Sequence, residues 1–168
     1  MRRGMGKRAF LAAAVAAVLI LGTLGVAYAG HENVLLFTQL RGRNEVPTDP
    51  AETRKNVGDP NGTGVAYVFG IDGDPTTLCY VLTVDRIQPA TAAHIHEGVE
   101  GTNGPVVVNL AAPADGNAAD CLTEGEEGKF VGDQTVAEIL ANPSAYYVNV
   151  HNAEFPSGAI RGQLAPER

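Results

Sequence analysis

Residues 146–151 read Tyr-Tyr-Val-Asn-Val-His, and this alternation of side-chain types indicates the class of fold. Successive side chains of a β-strand point to opposite faces. One face of this stretch would carry a tyrosine and two valines, which suit a core, and the other would carry Tyr147, Asn149 and His151. The stretch is therefore predicted to be a strand with one apolar and one polar face.

Most apolar segments after Gly30 have the same character. They are short, rich in Val, Tyr, Phe, Thr and Ile, and bounded by Gly, Pro, Asn or Asp, which is typical of strands joined by turns. The predicted strands are Val34–Leu40, Gly64–Ile71, Thr77–Ile87, Ala92–Glu97, Pro105–Leu110, Tyr146–His151 and Ala159–Leu164. Seven short strands favour an all-β sandwich or barrel.

Two other segments lack this pattern. Residues 135–138, Thr-Val-Ala-Glu, form a capping box, and the apolar residues that follow have helical spacing until Pro143, so one short helix is predicted. Residues 111–129 are rich in Gly, Asp and Glu and are predicted to be a mobile surface loop, pinned at Cys121.

The N-terminus has the features of a signal peptide. Four basic residues precede a charge-free run from Ala9 to Val26, and the run ends in Ala27-Tyr28-Ala29, a small-x-small pattern that a signal peptidase accepts. The sequence predicts a signal peptide over residues 1–29 and a secreted or extracytoplasmic domain over residues 30–168. The apolar run is nearly long enough to span a bilayer, so an uncleaved membrane anchor is the alternative.

Cleavage makes the domain strongly acidic. The signal segment removes four of the twelve basic residues and none of the nineteen acidic ones, which leaves eight against nineteen and a net charge of −11. This charge argues against nucleic-acid binding, because no Lys/Arg cluster remains to neutralise phosphates. It fits an extracytoplasmic protein, or one that attracts cations.

The two cysteines, Cys79 and Cys121, both lie in the exported part. An oxidising compartment favours a disulfide between them. Two separate thiols or two metal ligands are the alternatives, but the wide separation lacks the Cys-x-x-Cys spacing of a metal site.

Three of the four histidines fall on predicted strands. His94 and His96 share one face of their strand because one residue separates them, and His151 could reach them from a second strand. Three neutral imidazoles suit Zn or Cu, with His31, Glu97 or water as a fourth ligand. The alternative is a structural role, in which the histidines form hydrogen bonds with backbone groups or with Asn149 and Asn152.

A set of motifs in fixed order resembles the CHRD domain, first described in chordin and common in exported bacterial proteins. The resemblance covers Val34 to Leu164 and also includes Asn44-Glu45-Val46-Pro47 and the strand that begins at Gly62. The other motifs are Ala93–Gly98, Gly104–Val107, Tyr147–His151, Pro156–Gly158 and Ile160–Leu164. The resemblance implies an immunoglobulin-like, Greek-key β-sandwich of about seven strands with one short helix.

The chain departs from the family pattern at two positions. Ala153 stands where the family usually has Thr, and Ala159 stands where it usually has Glu. If that Glu pairs with the following arginine in the family, Arg161 needs another carboxylate here, and Glu45 is the candidate for a structural ion pair.

The resemblance implies little about activity, and the function we expect is a binding or interaction module rather than an enzyme, with an unknown protein or surface ligand as partner. Contact with a membrane is expected only through an uncleaved N-terminal segment. The alternative function is a copper-dependent redox enzyme, because the His-x-His pair is similar to part of the copper site of Cu/Zn superoxide dismutase. That enzyme's full site needs more histidines than this chain contains. Hydrolase, Rossmann and P-loop patterns are absent from the sequence.

We expect the exported protein to begin at Gly30, because Ala29 completes the small-x-small pattern. Intact-mass measurement of the protein recovered outside the cytoplasm checks this. A membrane fraction that retains Met1 would replace the secreted protein with an anchored one.

Overall fold

The computed structural model describes residues 34–49, 51 and 57–167. The predicted signal peptide, its cleavage site and His31 lie outside these residues. None of the helices in the described ranges is long and apolar enough to cross a membrane.

The described residues form nine strands, one α-helix and two 3₁₀ turns, at Gly42–Asn44 and Pro143–Ala145. The strands are β1 Leu35–Arg41, β2 Thr63–Ile71, β3 Asp74–Asp85, β4 Ala90–Glu97, β5 Val106–Leu110, β6 Asn117–Thr123, β7 Tyr146–Asn152, β8 Ile160–Gln163 and β9 Ala165–Pro166. The helix α1 spans Val136–Ala141. The all-β prediction with one short helix is confirmed.

All nine strands belong to one antiparallel sheet, which curls into a nearly closed, barrel-like shape. The order across the sheet is β5-β4-β7-β8-β1-β2-β3-β6, and β9 pairs with β1. The connection between the two halves is narrow, since β1 and β8 share one pair, Arg41 with Arg161. The predicted division into two sheets is therefore not confirmed, and the strand number differs from the expected seven.

The inner face of the curved sheet holds the hydrophobic core. On β7, the core contains the tyrosine and two valines expected from the alternation, and Ile95 on β4 packs with them. The two strands pair in antiparallel register, with His94 opposite Asn149 and His96 opposite Tyr147. Because the apolar side chains point inward, the polar side chains of both strands share the outer face.

The mobile loop predicted over residues 111–129 is wrong in its central part, which forms β6. This strand pairs with β3 over seven residues, and Leu122 is its one fully buried side chain. An edge strand with so little apolar content gives almost no alternation signal. Cys79 and Cys121 lie directly opposite each other and form the predicted disulfide, which therefore joins two strands rather than a strand and a loop.

The helix begins as the sequence predicts. The Thr135 side chain accepts a hydrogen bond from the Glu138 amide, and the Glu138 carboxylate accepts one from the Thr135 amide. The sequence did not predict a third contact, in which the Glu124 carboxylate accepts a hydrogen bond from the Val136 amide at 2.6 Å. Orphan amides at the helix start are thus satisfied by side chains.

Replacing both cysteines with serine should lower the free energy of unfolding by about 4 kcal/mol. The bond closes a sequence separation of 42 residues, and opening it restores conformational freedom to the unfolded chain. Denaturant titration of both proteins measures the change. Peptide mapping without reductant should recover the linked pair, and two freely alkylated thiols in the native protein would contradict the Cys79–Cys121 bond.

Candidate metal site

The pairing of β4 with β7 brings His94, His96 and His151 together on the outer face of the sheet. One nitrogen from each ring can be chosen so that all three lie within 4.8 Å of one another. The shortest approach joins His94 Nδ1 and His151 Nε2, at 3.1 Å. The three rings sit 5.0 to 6.4 Å apart, centre to centre. The sequence prediction that these histidines converge agrees with this geometry.

Two of the three rings are oriented by backbone carbonyls. His96 Nδ1 donates to the Gly104 carbonyl at 2.9 Å, and His151 Nδ1 donates to the Pro156 carbonyl at 3.0 Å. A carbonyl oxygen only accepts, so each Nδ1 carries the proton and each Nε2 keeps its lone pair. The structural alternative and the metal site are therefore compatible, because they use different nitrogens of the same rings.

The lone pairs have few other partners. His96 is 9% exposed, and its buried Nε2 has no hydrogen-bond partner among the described residues. An unsatisfied buried acceptor costs free energy, which a bound cation would recover. Because His151 Nε2 is unprotonated, His94 Nδ1 must carry a proton and donate it in the 3.1 Å hydrogen bond. A metal ion bound by both nitrogens would take the place of this hydrogen bond, with the His94 proton on Nε2 instead of Nδ1 so that the ring stays neutral.

Burial keeps the three rings uncharged at neutral pH. It lowers the pKa of His94 to about 4, with further contributions from the neighbouring His151 and His96. Burial also lowers the pKa of His96 and of His151, against the opposing effect of their carbonyl hydrogen bonds. Neutral imidazole is the form that binds metals, so the environment favours ligand formation.

Glu97 was one of three candidates for a fourth ligand, and it is not part of the three-histidine cluster. It follows His96 on β4 and therefore points to the opposite face. Its carboxylate accepts a hydrogen bond from the Gln134 side chain at 2.7 Å, on the side of the helix. The remaining candidates are water and His31, which lies outside the described residues.

The sequence did not indicate the residues that orient the rings. Gly104 and Pro156 act through backbone carbonyls, which leave no side-chain signature. Gly104 does carry an indirect signal, because a Cβ there would lie 1.7 Å from the Glu97 carbonyl oxygen. Only glycine permits this close approach of the two backbones.

The CHRD domain family model matches residues 36–164 of the chain. The protein belongs to the CHRD family. Searches of curated proteins and of solved structures give no match. The matched region contains every residue of the three-histidine cluster and both cysteines of the disulfide.

A buried carboxyl lies beneath the outer face of this CHRD domain. Glu45 is 2% exposed, and burial raises its pKa to about 8, although the Arg161 charge and a hydrogen bond with Asn149 oppose the shift. Gly158 covers it so closely that a Cβ would lie 2.5 Å from a carboxyl oxygen. At neutral pH the carboxyl is therefore mainly protonated. The predicted ion pair between Glu45 and Arg161 requires an ionised Glu45, and it stays a prediction.

Wild-type stability relative to that of Glu45→Gln should decrease by about 1–2 kcal/mol as the pH rises from 6.5 to 8. The folded protein holds the Glu45 proton with a pKa of about 8, whereas the unfolded chain releases it near 4.5. The bound proton therefore stabilises the folded state. This contribution to the free energy of unfolding is fully present at low pH and is lost as the pH rises toward 8.

Glu45→Gln removes this titration and leaves that of the histidines, so the contribution of the histidines cancels in the comparison with wild type. Denaturant titration at several pH values, on both metal-free proteins, measures the difference. Equal pH slopes for wild type and Glu45→Gln would show that Glu45 ionises normally, as an ion pair with Arg161 requires.

Proposed function

We propose that this CHRD domain is an exported binding module that holds one Zn or Cu ion through His94, His96 and His151. The observation that carries the proposal is the arrangement of the lone pairs. Two rings are fixed by carbonyls so that Nε2 is the unprotonated nitrogen, the third ring contacts one of these Nε2 atoms, and one nitrogen of each ring lies within 4.8 Å of the others. Carbonyl-oriented imidazoles are the usual form of histidine ligands in proteins.

The distances fit one ion after a small movement. Zn and Cu bind imidazole nitrogens at about 2.0–2.1 Å, so nitrogens on one tetrahedral ion lie about 3.3 Å apart. The His94–His151 contact of 3.1 Å already matches this value. The widest separation is 4.8 Å at most, and a side-chain shift of about 1–2 Å closes it.

Three protein ligands leave one coordination position for an outside group. Sites with three protein ligands and an open position bind water or an exogenous ligand, whereas sites with four protein ligands are closed. The fourth position would thus be where a partner protein or surface ligand meets the ion. Export is supported by the disulfide, since such bonds persist in oxidising compartments.

The purified domain should bind one equivalent of Zn²⁺ or Cu²⁺. His96→Ala should lower the affinity at least tenfold, because it removes a preoriented ligand. Val81→Ala, at an exposed position on β3, is the control and should leave the affinity unchanged. Isothermal titration with each metal, followed by metal analysis after dialysis, measures stoichiometry and affinity. Wild type that retains no metal would overturn the proposal and leave the histidines with a purely structural role.

Affinity should be nearly constant above pH 6.5 and decrease below it. Protons compete with the metal for the imidazole lone pairs, and the lowered pKa of His94, about 4, places this competition below the ordinary histidine range. Competition titrations from pH 4 to 8 check this. Turnover of superoxide or peroxide by the metal-loaded domain would instead support the copper redox enzyme.

A further inference from the structure

We propose that Arg161 is a positioning residue for the three-histidine site. Its guanidinium fixes the segment 98–104 and the Tyr147 ring, and these two groups together orient His96. The expected effect on metal affinity rests on the proposed function. The orientation of His96 does not, because it can be measured in the metal-free protein.

Arg161 makes its contacts from the middle of the outer face. It lies on β8 opposite Asn149 of β7, and it is only 2% exposed. Its Nη2 donates to the Thr102 carbonyl at 2.6 Å, and its Nη1 donates to the Asn103 side-chain oxygen at 3.2 Å. The guanidinium carbon also lies 3.3 Å from the centre of the Tyr147 ring.

Both sets of contacts lead to His96. Tyr147 stacks on the His96 ring at 4.7 Å with only 7° between the planes. Its hydroxyl accepts from the Gly104 amide at 3.2 Å, and the carbonyl of the same glycine accepts from His96 Nδ1. Arg161 therefore contacts the Tyr147 ring, which stacks on His96. It also holds the segment 98–104, and the carbonyl of Gly104 in this segment determines which nitrogen of His96 carries the proton.

The anchored segment needs such a tether. It connects β4 to β5 without regular secondary structure and contains three glycines at positions 98, 101 and 104. Glycine-rich backbone loses much conformational freedom when it is ordered. Asn103 extends the tether, because its side-chain nitrogen donates to the Val46 and Pro47 carbonyls.

An arginine suits this position better than a lysine. The planar guanidinium can donate in two directions while its face rests on an aromatic ring. A lysine ammonium keeps the charge but offers neither the fork nor the flat surface. Arg161→Lys thus removes the positioning contacts and retains the charge.

Positioning and charge predict opposite effects for a neutral substitution. The positive charge of Arg161 disfavours a second positive charge at His96, where it contributes to the lowered pKa. If charge were its main influence, Arg161→Gln would tighten metal binding. If positioning dominates, both Arg161→Lys and Arg161→Gln weaken binding, by about 10- to 100-fold, as is typical when a partner that orients a metal ligand is lost.

The experiment measures Zn²⁺ affinity by competition titration and the His96 tautomer by ¹⁵N NMR of the metal-free protein. In wild type the His96 ring should be protonated at Nδ1, and in Arg161→Lys both tautomers should be populated. Leu122→Ala, in β6, controls for general destabilisation and should change neither measurement. The NMR result does not depend on metal binding. If the protein binds no metal, the His96 tautomer therefore still tests whether Arg161 positions the ring.

A milder variant covers the case in which Arg161 variants do not fold. Asn103→Ala removes one acceptor of the guanidinium at an exposed position, and Val99→Ala in the same segment removes a side chain that is 58% exposed. Asn103→Ala should weaken Zn²⁺ binding and mix the His96 tautomers, whereas Val99→Ala should do neither. Wild-type affinity and a single His96 tautomer in Arg161→Lys, or in Asn103→Ala if the former is unfolded, would overturn the proposal.

Discussion

The antiparallel pairing of β4 with β7 is the constraint on which the rest of the site depends. Ile95 and Val148 lie opposite each other and point into the core, so the register is fixed by apolar burial. A slip of one residue would turn the apolar side chains outward and the histidines inward, at a large cost in free energy. The backbone positions of the histidines are therefore a consequence of core packing, whereas the orientation of two of the rings depends on the Gly104 and Pro156 carbonyls.

The outer face of this pair forms a second buried layer, made of polar groups. Tyr147, Asn149 and Arg161 are each at most 4% exposed, although all three lie outside the hydrophobic core cluster. Irregular segments cover them and supply the backbone carbonyls and amides that polar burial requires. Close backbone approach at Gly104 and Gly158 lets these segments lie flat against the layer.

Residue patterns predicted the parts of the structure that local chemistry decides. Alternation assigned the two faces of β4 and β7, the capping box located the helix, and the cysteine positions indicated the disulfide. The strand parity that grouped His94 with His96 should also have excluded Glu97, since Glu97 is adjacent to His96. Strand β6 was missed because pairing with β3, rather than its own composition, makes it a strand. The single curled sheet depends on pairing between strands that are far apart in the sequence. The alternation of side chains within one strand does not predict which strands pair.

The site and the surface act on cations in different ways. The acidic surface raises the local concentration of all cations, without selecting among them. Selection depends on the ligands, and neutral imidazoles favour Zn and Cu over Ca and Mg, which prefer oxygen. The buried carboxyl of Glu45 is mainly protonated at neutral pH, because burial raises its pKa to about 8, so it adds little negative charge. Affinity must then come from the geometry of the lone pairs. The two carbonyls and the contacts of Arg161 therefore matter more here than the net charge, which is −11 over residues 30–168.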